Sequence, residues 1–206
     1  GQASTSRNFT IVVSHDDVRP SVLIDLTPSF PVGVGQPVQI RVVASGVSPI
    51  ESIDATLDGA PLLLDAQGRA KFTPKAPGKF VIEAIATDES GVAGEATRTI
   101  RVRDAADTRA PIVQLNLPPA NATLSVLTDV VGSVLDSNLD LFNLTLSPVG
   151  SDDVLLLATG AVTVGGGVLG QVDPQHLANG AYELTLTATG IAGRRSVTSR
   201  GVEINT

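Results

Sequence analysis

The sequence predicts an all-β protein of many short strands, hence a sandwich or a barrel. Apolar residues alternate with period two. Val38, Ile40, Val42 and Ala44 are interleaved with Gln39, Arg41 and Val43; Phe80, Ile82, Ala84 and Ala86 with Val81, Glu83 and Ile85; Tyr182, Leu184, Leu186 and Ala188 with Glu183, Thr185 and Thr187. Successive side chains of a strand point to opposite faces, so each row predicts one buried face. The strand formers Val, Ile and Thr are abundant, and no window of a dozen residues keeps a 3.6-residue period between helix caps. The 20 Gly and 13 Pro fall between the apolar rows as turn punctuation, with hairpin turns expected at "LDGAP" (57–61) and "DAQGR" (65–69).

The strands repeat. "PGKFVIEAIATDESG" (77–91) aligns without gaps on "NGAYELTLTATGIAG" (179–193), pairing Gly78 with Gly180, Phe80 with Tyr182 and Gly91 with Gly193. Downstream, "RTIRV" from Arg98 matches "RGVEI" from Arg200, and the opening "RNFTIVV" from Arg7 fits the same slot. "PSVLIDL" after Pro20 and "PIVQLNL" after Pro111 keep one register: Val22 with Val113, Ile24 with Leu115, Leu26 with Leu117. The interval from Pro20 to Pro111 is 91 residues. The expected organisation is therefore residues 1–19 as the closing strand of a preceding unit or an N-terminal linker, 20–104 as a first domain and 105–206 as a second. An alternative has the opening strand docking on the edge of the first domain, since an unpaired alternating strand seeks an edge.

Composition narrows the function classes. At 206 residues, 42% hydrophobic and 17% charged, the chain is globular rather than disordered. Every apolar run is interrupted within about ten positions, too short to span a bilayer as a helix. No cleavable leader opens the chain, and Met is absent even at position 1, so a processed chain or an excised fragment is expected. The net charge of −7 disfavours nucleic acid, which calls for a basic patch. Arg98, Arg101, Arg103 and Arg109 read as polar-face residues of one strand. With no Cys, each half must hold itself by apolar burial.

The motif "TLDGAPLLLDAQGRAKFTPKAPGKFVIEAIATDESG", followed by "DTRAP", "DVVGSVLDSNLDLFNLTLSPVG" and "VLGQVDPQHLANGAYELTLTATG", resembles tandem bacterial immunoglobulin-like (Big-type) domains of large surface and secreted proteins. It is also similar to the units that precede RHS/YD repeats. The resemblance covers residues 20–206. It implies two tandem immunoglobulin-like β-sandwiches and a setting that is extracellular, at the bacterial cell surface or periplasmic. The antibody-type disulfide and core Trp are missing, and Gly190 stands where the first unit has Asp88. If Asp88 binds a ligand, the second unit should not. Tyr182 occupies the position of a tyrosine corner, where its hydroxyl would bond nearby backbone; Phe80 cannot.

The two histidines, His15 in a linker and His176 in the turn "DPQHLANG", lack a nucleophile elbow, so no enzyme activity is expected. "GGG" at 165–167 is followed by no helix or Lys and reads as a loop, not a phosphate cradle. Paired carboxylates occur at Asp16–Asp17, Asp104–Asp107, Asp136–Asp140 and Asp152–Asp153; an acid/base pair needs two carboxyls flanking a concave pocket, and adjacent Asp residues in a linker point apart into water, so that reading is set aside. Calcium is the alternative: junctions of immunoglobulin-like arrays often carry Ca2+, Asp16 aligns with Asp107, and Asp104 adds a carboxylate. Asp107 equally suits a cap on the turn before Pro111. No other cofactor is expected. One Tyr, five Phe and no Trp give little platform for a glycan. The sequons at Asn8, Asn121 and Asn143 read as chance in a bacterial chain.

The expected function is a non-catalytic extracellular spacer that presents a functional domain, its partners being further domains of the same polypeptide. A semi-rigid "DAADTRAP" linker and an elongated particle in small-angle scattering would follow. The alternatives are an adhesin or protein-binding module using the Gly-rich stretch 147–170 as a variable surface, or an accessory domain of a secreted toxin or enzyme. No contact with nucleic acid and no insertion into a membrane are expected.

Overall fold

A computed structural model describes residues 17–206. The opening strand, Asn8, His15 and Asp16 lie outside the described residues. The chain forms β1 (Ser21–Thr27), β2 (Val32–Gly33), β3 (Val38–Ser45), β4 (Ile50–Leu57), β5 (Ala60–Pro61), β6 (Arg69–Phe72), β7 (Gly78–Asp88) and β8 (Ala93–Arg103). It then forms β9 (Ile112–Leu117), β10 (Ala122–Leu124), β11 (Thr128–Leu135), β12 (Leu139–Pro148), β13 (Leu155–Gly160), β14 (Val164–Val172), β15 (Gly180–Gly190) and β16 (Arg195–Ile204). The described residues contain one 3-10 turn, Pro174–His176, and no helix long and apolar enough to cross a membrane.

Strand order repeats after eight strands. In the first half a three-stranded sheet runs β1-β3-β6 and a five-stranded sheet β2-β8-β7-β4-β5. In the second the orders are β9-β11-β14 and β10-β16-β15-β12-β13. Each half is a sandwich of one three-stranded and one five-stranded sheet. The pairs β1–β3, β4–β5, β4–β7, β9–β11, β11–β14, β12–β13, β12–β15 and β15–β16 run antiparallel, whereas β2 meets β8 and β10 meets β16 in parallel. Sheet membership changes across residues 104–111. By compactness the described residues up to Thr27, Gln39–Phe72 and Val81–Thr99 form one unit; Pro28–Val38, Thr73–Phe80 and Ile100–Thr206 form another.

The predicted alternation is what fills the interiors. Val38, Ile40 and Val42 from β3 and Ile82, Ala84 and Ala86 from β7 are buried in the first half, while Val43 and Ile85 face out. In the second half Leu184, Leu186 and Ala188 of β15 join Leu144 and Leu146 of β12, Val130 and Val134 of β11, and Ile204 of β16. The cluster is confined to residues 115–204. Asp58 and Gly59 both take positive φ (48° and 77°) and close a two-residue turn between β4 and β5, as the "LDGAP" signal predicts.

Three expectations are corrected. "DAQGR" does turn the chain, with the Gly68 N–H on the Asp65 carbonyl, but it is no hairpin: β5 and β6 belong to different sheets. The 165–167 glycines are not a loop either; they lie within β14. Between Gly132 and Val134 of β11 the partner strand advances from Gly167 to Val164, one residue more than β11, and the glycines absorb that bulge. Gly166 takes φ 67°, and its N–H reaches the buried Ser133 Oγ at 2.9 Å. Finally, Leu26 is half-buried but its register mate Leu117 is exposed. The β9–β11 pairing slips between Val131 and Gly132, from Leu117 to Leu115, and a slip turns a side chain to the other face.

Candidate functional site

The richest polar cluster in the second half gathers around the turn between β11 and β12. Asp136 Oδ1 accepts the Asn138 N–H at 2.7 Å, closing an Asx turn. Asn138 is buried and acts as a hub: its Oδ1 accepts the Asp104 N–H at 3.1 Å and its carbonyl accepts the Ile191 N–H at 2.8 Å. Asp104 Oδ1 takes the Ala106 N–H and Asp107 Oδ1 the Arg109 N–H. Arg194 Nη1 donates to the Asp107 carbonyl at 2.8 Å. Asp104, Asp107 and Asp136 line one open depression of about 540 Å3 with Arg109 and Ser137.

Two of the three calcium candidates, Asp104 and Asp107, thus line one depression, and Asp16 lies outside the described residues. Among the described residues no group of three or more His, Cys, Asp or Glu is placed to hold a metal ion. Each of these carboxylates spends an oxygen on a backbone N–H two residues on, which is the turn-cap reading of Asp107 extended to its neighbours.

Burial pushes the Asp136 carboxyl above its ordinary range. The Asn138 N–H opposes that shift, the Asp107 charge adds to it, and Arg194 opposes it. A carboxyl raised on folding contributes stability below its unfolded pKa, and that contribution disappears as pH climbs through the folded value. Asp136→Asn keeps the Oδ1 acceptor and removes the charge. It should stabilise the chain at pH 7 by a few tenths of a kcal/mol, the side chain being only half-buried. Thermal melts at pH 7 and about pH 3.5 check this, because the gain should vanish in acid. An equal gain at both pH values would exclude the charge as its cause.

The Asp88–Gly190 difference has a physical account. Asp88 is fully buried; its Oδ1 accepts the Ser90 and Val92 N–H groups at 2.9 and 3.0 Å and closes the β7–β8 turn. Its Oδ2 is buried without a hydrogen-bond partner. In the second half a Cβ on Gly190 would stand 3.5 and 3.6 Å from the two Asp136 carboxylate oxygens. A carboxylate from a different loop thus stands beside Gly190, where it accepts the Asn138 N–H. Sequence reasoning missed Asn138. Its one signal is the "DSN" spacing between two strands, an Asx-turn pattern.

Tyr182 makes the expected corner, its hydroxyl donating to the Ala178 carbonyl at 3.0 Å. His176 ends the 3-10 turn, exposed, with Nδ1 3.0 Å from Asp173 Oδ2.

Strand order, the parallel terminal pairings and the tyrosine corner define two tandem immunoglobulin-like β-sandwiches. No family model matches the chain, and no curated protein is significantly similar in sequence. Among solved structures it is similar to fibronectin(III)-like modules of CbhA from Clostridium thermocellum: 14% identity, 89% of this chain and 94% of that one, TM-score 0.34. It is also similar to carbohydrate-binding modules of the β-sandwich superfamily, at 10% identity, 90% and 96% coverage and TM-score 0.39. A third likeness is to a tetra-tandem repeat from the extending region of a large adhesion protein, at 19% identity, 90% and 49% coverage and TM-score 0.32. At such identities a function has to be sought in this chain's own geometry.

Proposed function

We propose that this chain is a non-catalytic spacer of a larger extracellular bacterial protein, holding a functional domain away from its anchor. Its partners in this reading are further domains of the same polypeptide. The supporting observation is the parallel pairing of each sandwich's short second strand with its last strand. Val32 and Gly33 face Val102 and Arg103; Ala122, Thr123 and Leu124 face Val202, Glu203 and Ile204. Tension on a chain pulls an early strand toward its N-terminus and a late strand toward its C-terminus. Parallel neighbours then slide past one another, so the hydrogen bonds between them are stretched together rather than opened one at a time. Such a geometry suits a module that transmits force.

Single-molecule stretching of the chain by its ends tests this. Two unfolding events are expected, each lengthening the tether by about 30 nm, the contour of roughly 90 residues. The second sandwich, with three registered pairs against two, should give way at the higher force. A single merged event, or release at forces no greater than those that unzip a hairpin, would exclude the spacer reading.

A further inference from the structure

We propose that the outer face of the first sandwich's three-stranded sheet binds an acidic polysaccharide, one whose sugar rings carry carboxylates. β1, β3 and β6 hold one acid, Asp25, against three cations, Arg41, Arg69 and Lys71, all of them exposed. This sheet is therefore net positive in a chain of net charge −7. The cations are neighbours. β3 lies between β1 and β6, and the Val42 N–H on the Gly68 carbonyl sets Arg69 beside Arg41. Both arginines line one open depression of about 540 Å3 with Asp25, Thr27 and Gln39. Like charges on adjacent strands repel, which a face meant only for water has no reason to keep. Asp25 stands opposite Arg41 in register, yet among the described residues the ion pairs are Arg101–Asp140 and His176–Asp173. The corresponding strands of the second sandwich, β9, β11 and β14, carry no Lys or Arg, so the fold itself does not call for this cluster.

Charge complementarity and the polar neighbours select the occupant. A lone anion on so open a face is screened by salt, so the ligand needs several negative groups on one chain. Arg41 and Arg69 stand about one strand spacing apart, roughly 5 Å, and Lys71 follows Arg69 along β6 by about 7 Å. Guanidiniums grip carboxylates through paired N–H donors. Beside them Thr27 and Gln39, opposite one another in register, offer a hydroxyl and a carboxamide. Each can both donate and accept, as the hydroxyls of a sugar require. A neutral glycan stacks on aromatic rings and leaves the arginines unanswered. A single-stranded nucleic acid wants aromatic side chains under its bases, and no exposed position of these three strands supplies one. The excess of acids elsewhere on the chain repels the same ligand from other faces. This inference does not rest on the spacer reading.

Calorimetric titration of the intact chain with polygalacturonate at about 20 mM salt tests it, with poly-glutamate and single-stranded DNA run in parallel. Saturable binding of polygalacturonate is expected, with a dissociation constant between roughly 10 µM and 1 mM that rises at least about ten-fold in 0.2 M salt. Arg41→Gln and, separately, Arg69→Gln should each weaken it about five-fold or more, with melting unchanged. Gln39→Ala should weaken the binding of polygalacturonate and leave that of poly-glutamate as it is. Arg98→Gln, which removes the same charge from an exposed position in the five-stranded sheet, should leave polygalacturonate binding intact. A chain that does not bind polygalacturonate overturns the proposal, as does an equal loss from Arg98→Gln. Poly-glutamate or DNA binding at least as tightly through the same two arginines overturns it too, and would make the face one for an acidic protein or a nucleic acid.

Discussion

Truncating Leu144 to alanine is expected to cost the second sandwich about 3–4 kcal/mol while the first keeps its midpoint. Leu144 is fully buried at the centre of β12, flanked in register by Ala158 of β13 and Leu186 of β15. The cost of such a truncation depends on whether neighbours can move into the space. Here one facing group is backbone: a Cβ on Gly170 would stand 3.0 Å from Leu144 Cδ2, and Gly170 is held in the ladder with Val130. A strand fixed by hydrogen bonds cannot swing inward as a flexible side chain would, so the cavity stays open. Calorimetry should show one transition displaced and one unmoved, because the apolar cluster containing Leu144 is confined to residues 115–204. Both transitions moving together would mean that the halves melt as one cooperative unit.

Arg200→Met should cost about 2–3 kcal/mol, and Arg200→Lys should recover only part of it. From β16, the Arg200 guanidinium donates to the carbonyls of Leu115 (2.5 Å), Asn116 (3.1 Å) and Pro118 (2.6 Å). One side chain of the five-stranded sheet thereby holds the end of β9, an edge strand of the three-stranded sheet. The fork matters because three carbonyls at different angles are met by one rigid planar cation, which an ammonium cannot reproduce. Chemical denaturation gives the magnitude, and amide exchange gives the place: protection should fall first along β9. Exchange rising evenly over the second sandwich would show that Arg200 acts through bulk stability and not on that strand.

Much of the fold is legible because burial is periodic. Tyr182, Leu184, Leu186 and Ala188 announce a buried face in the sequence and occupy one in the structure. Asp58–Gly59 specifies its turn for a local reason, namely two residues that tolerate positive φ. What escaped the sequence is set by partners distant along the chain. The glycines at 165–167 look like a loop until β11 lies beside them and the extra residue becomes a bulge. Asp136 reaches the neighbourhood of Gly190 from another loop, and Arg200 aligns with Arg98 without revealing the carbonyls that it meets. For the candidate site, the turn-capping role of Asp107 could be read locally, whereas the hub at Asn138 depends on three segments converging.

The position of β16 between β10 and β15 carries a consequence for biosynthesis. Val202 and Ile204, almost the last residues of their sandwich, are buried in its interior and seal it. While a ribosome is still adding them, the preceding ninety-odd residues have no finished interior to collapse around, and the groove reserved for β16 stands open to any passing extended segment. The first sandwich, closed by β8, is complete long before, so a nascent chain of this protein carries one finished module and one waiting on its final strand.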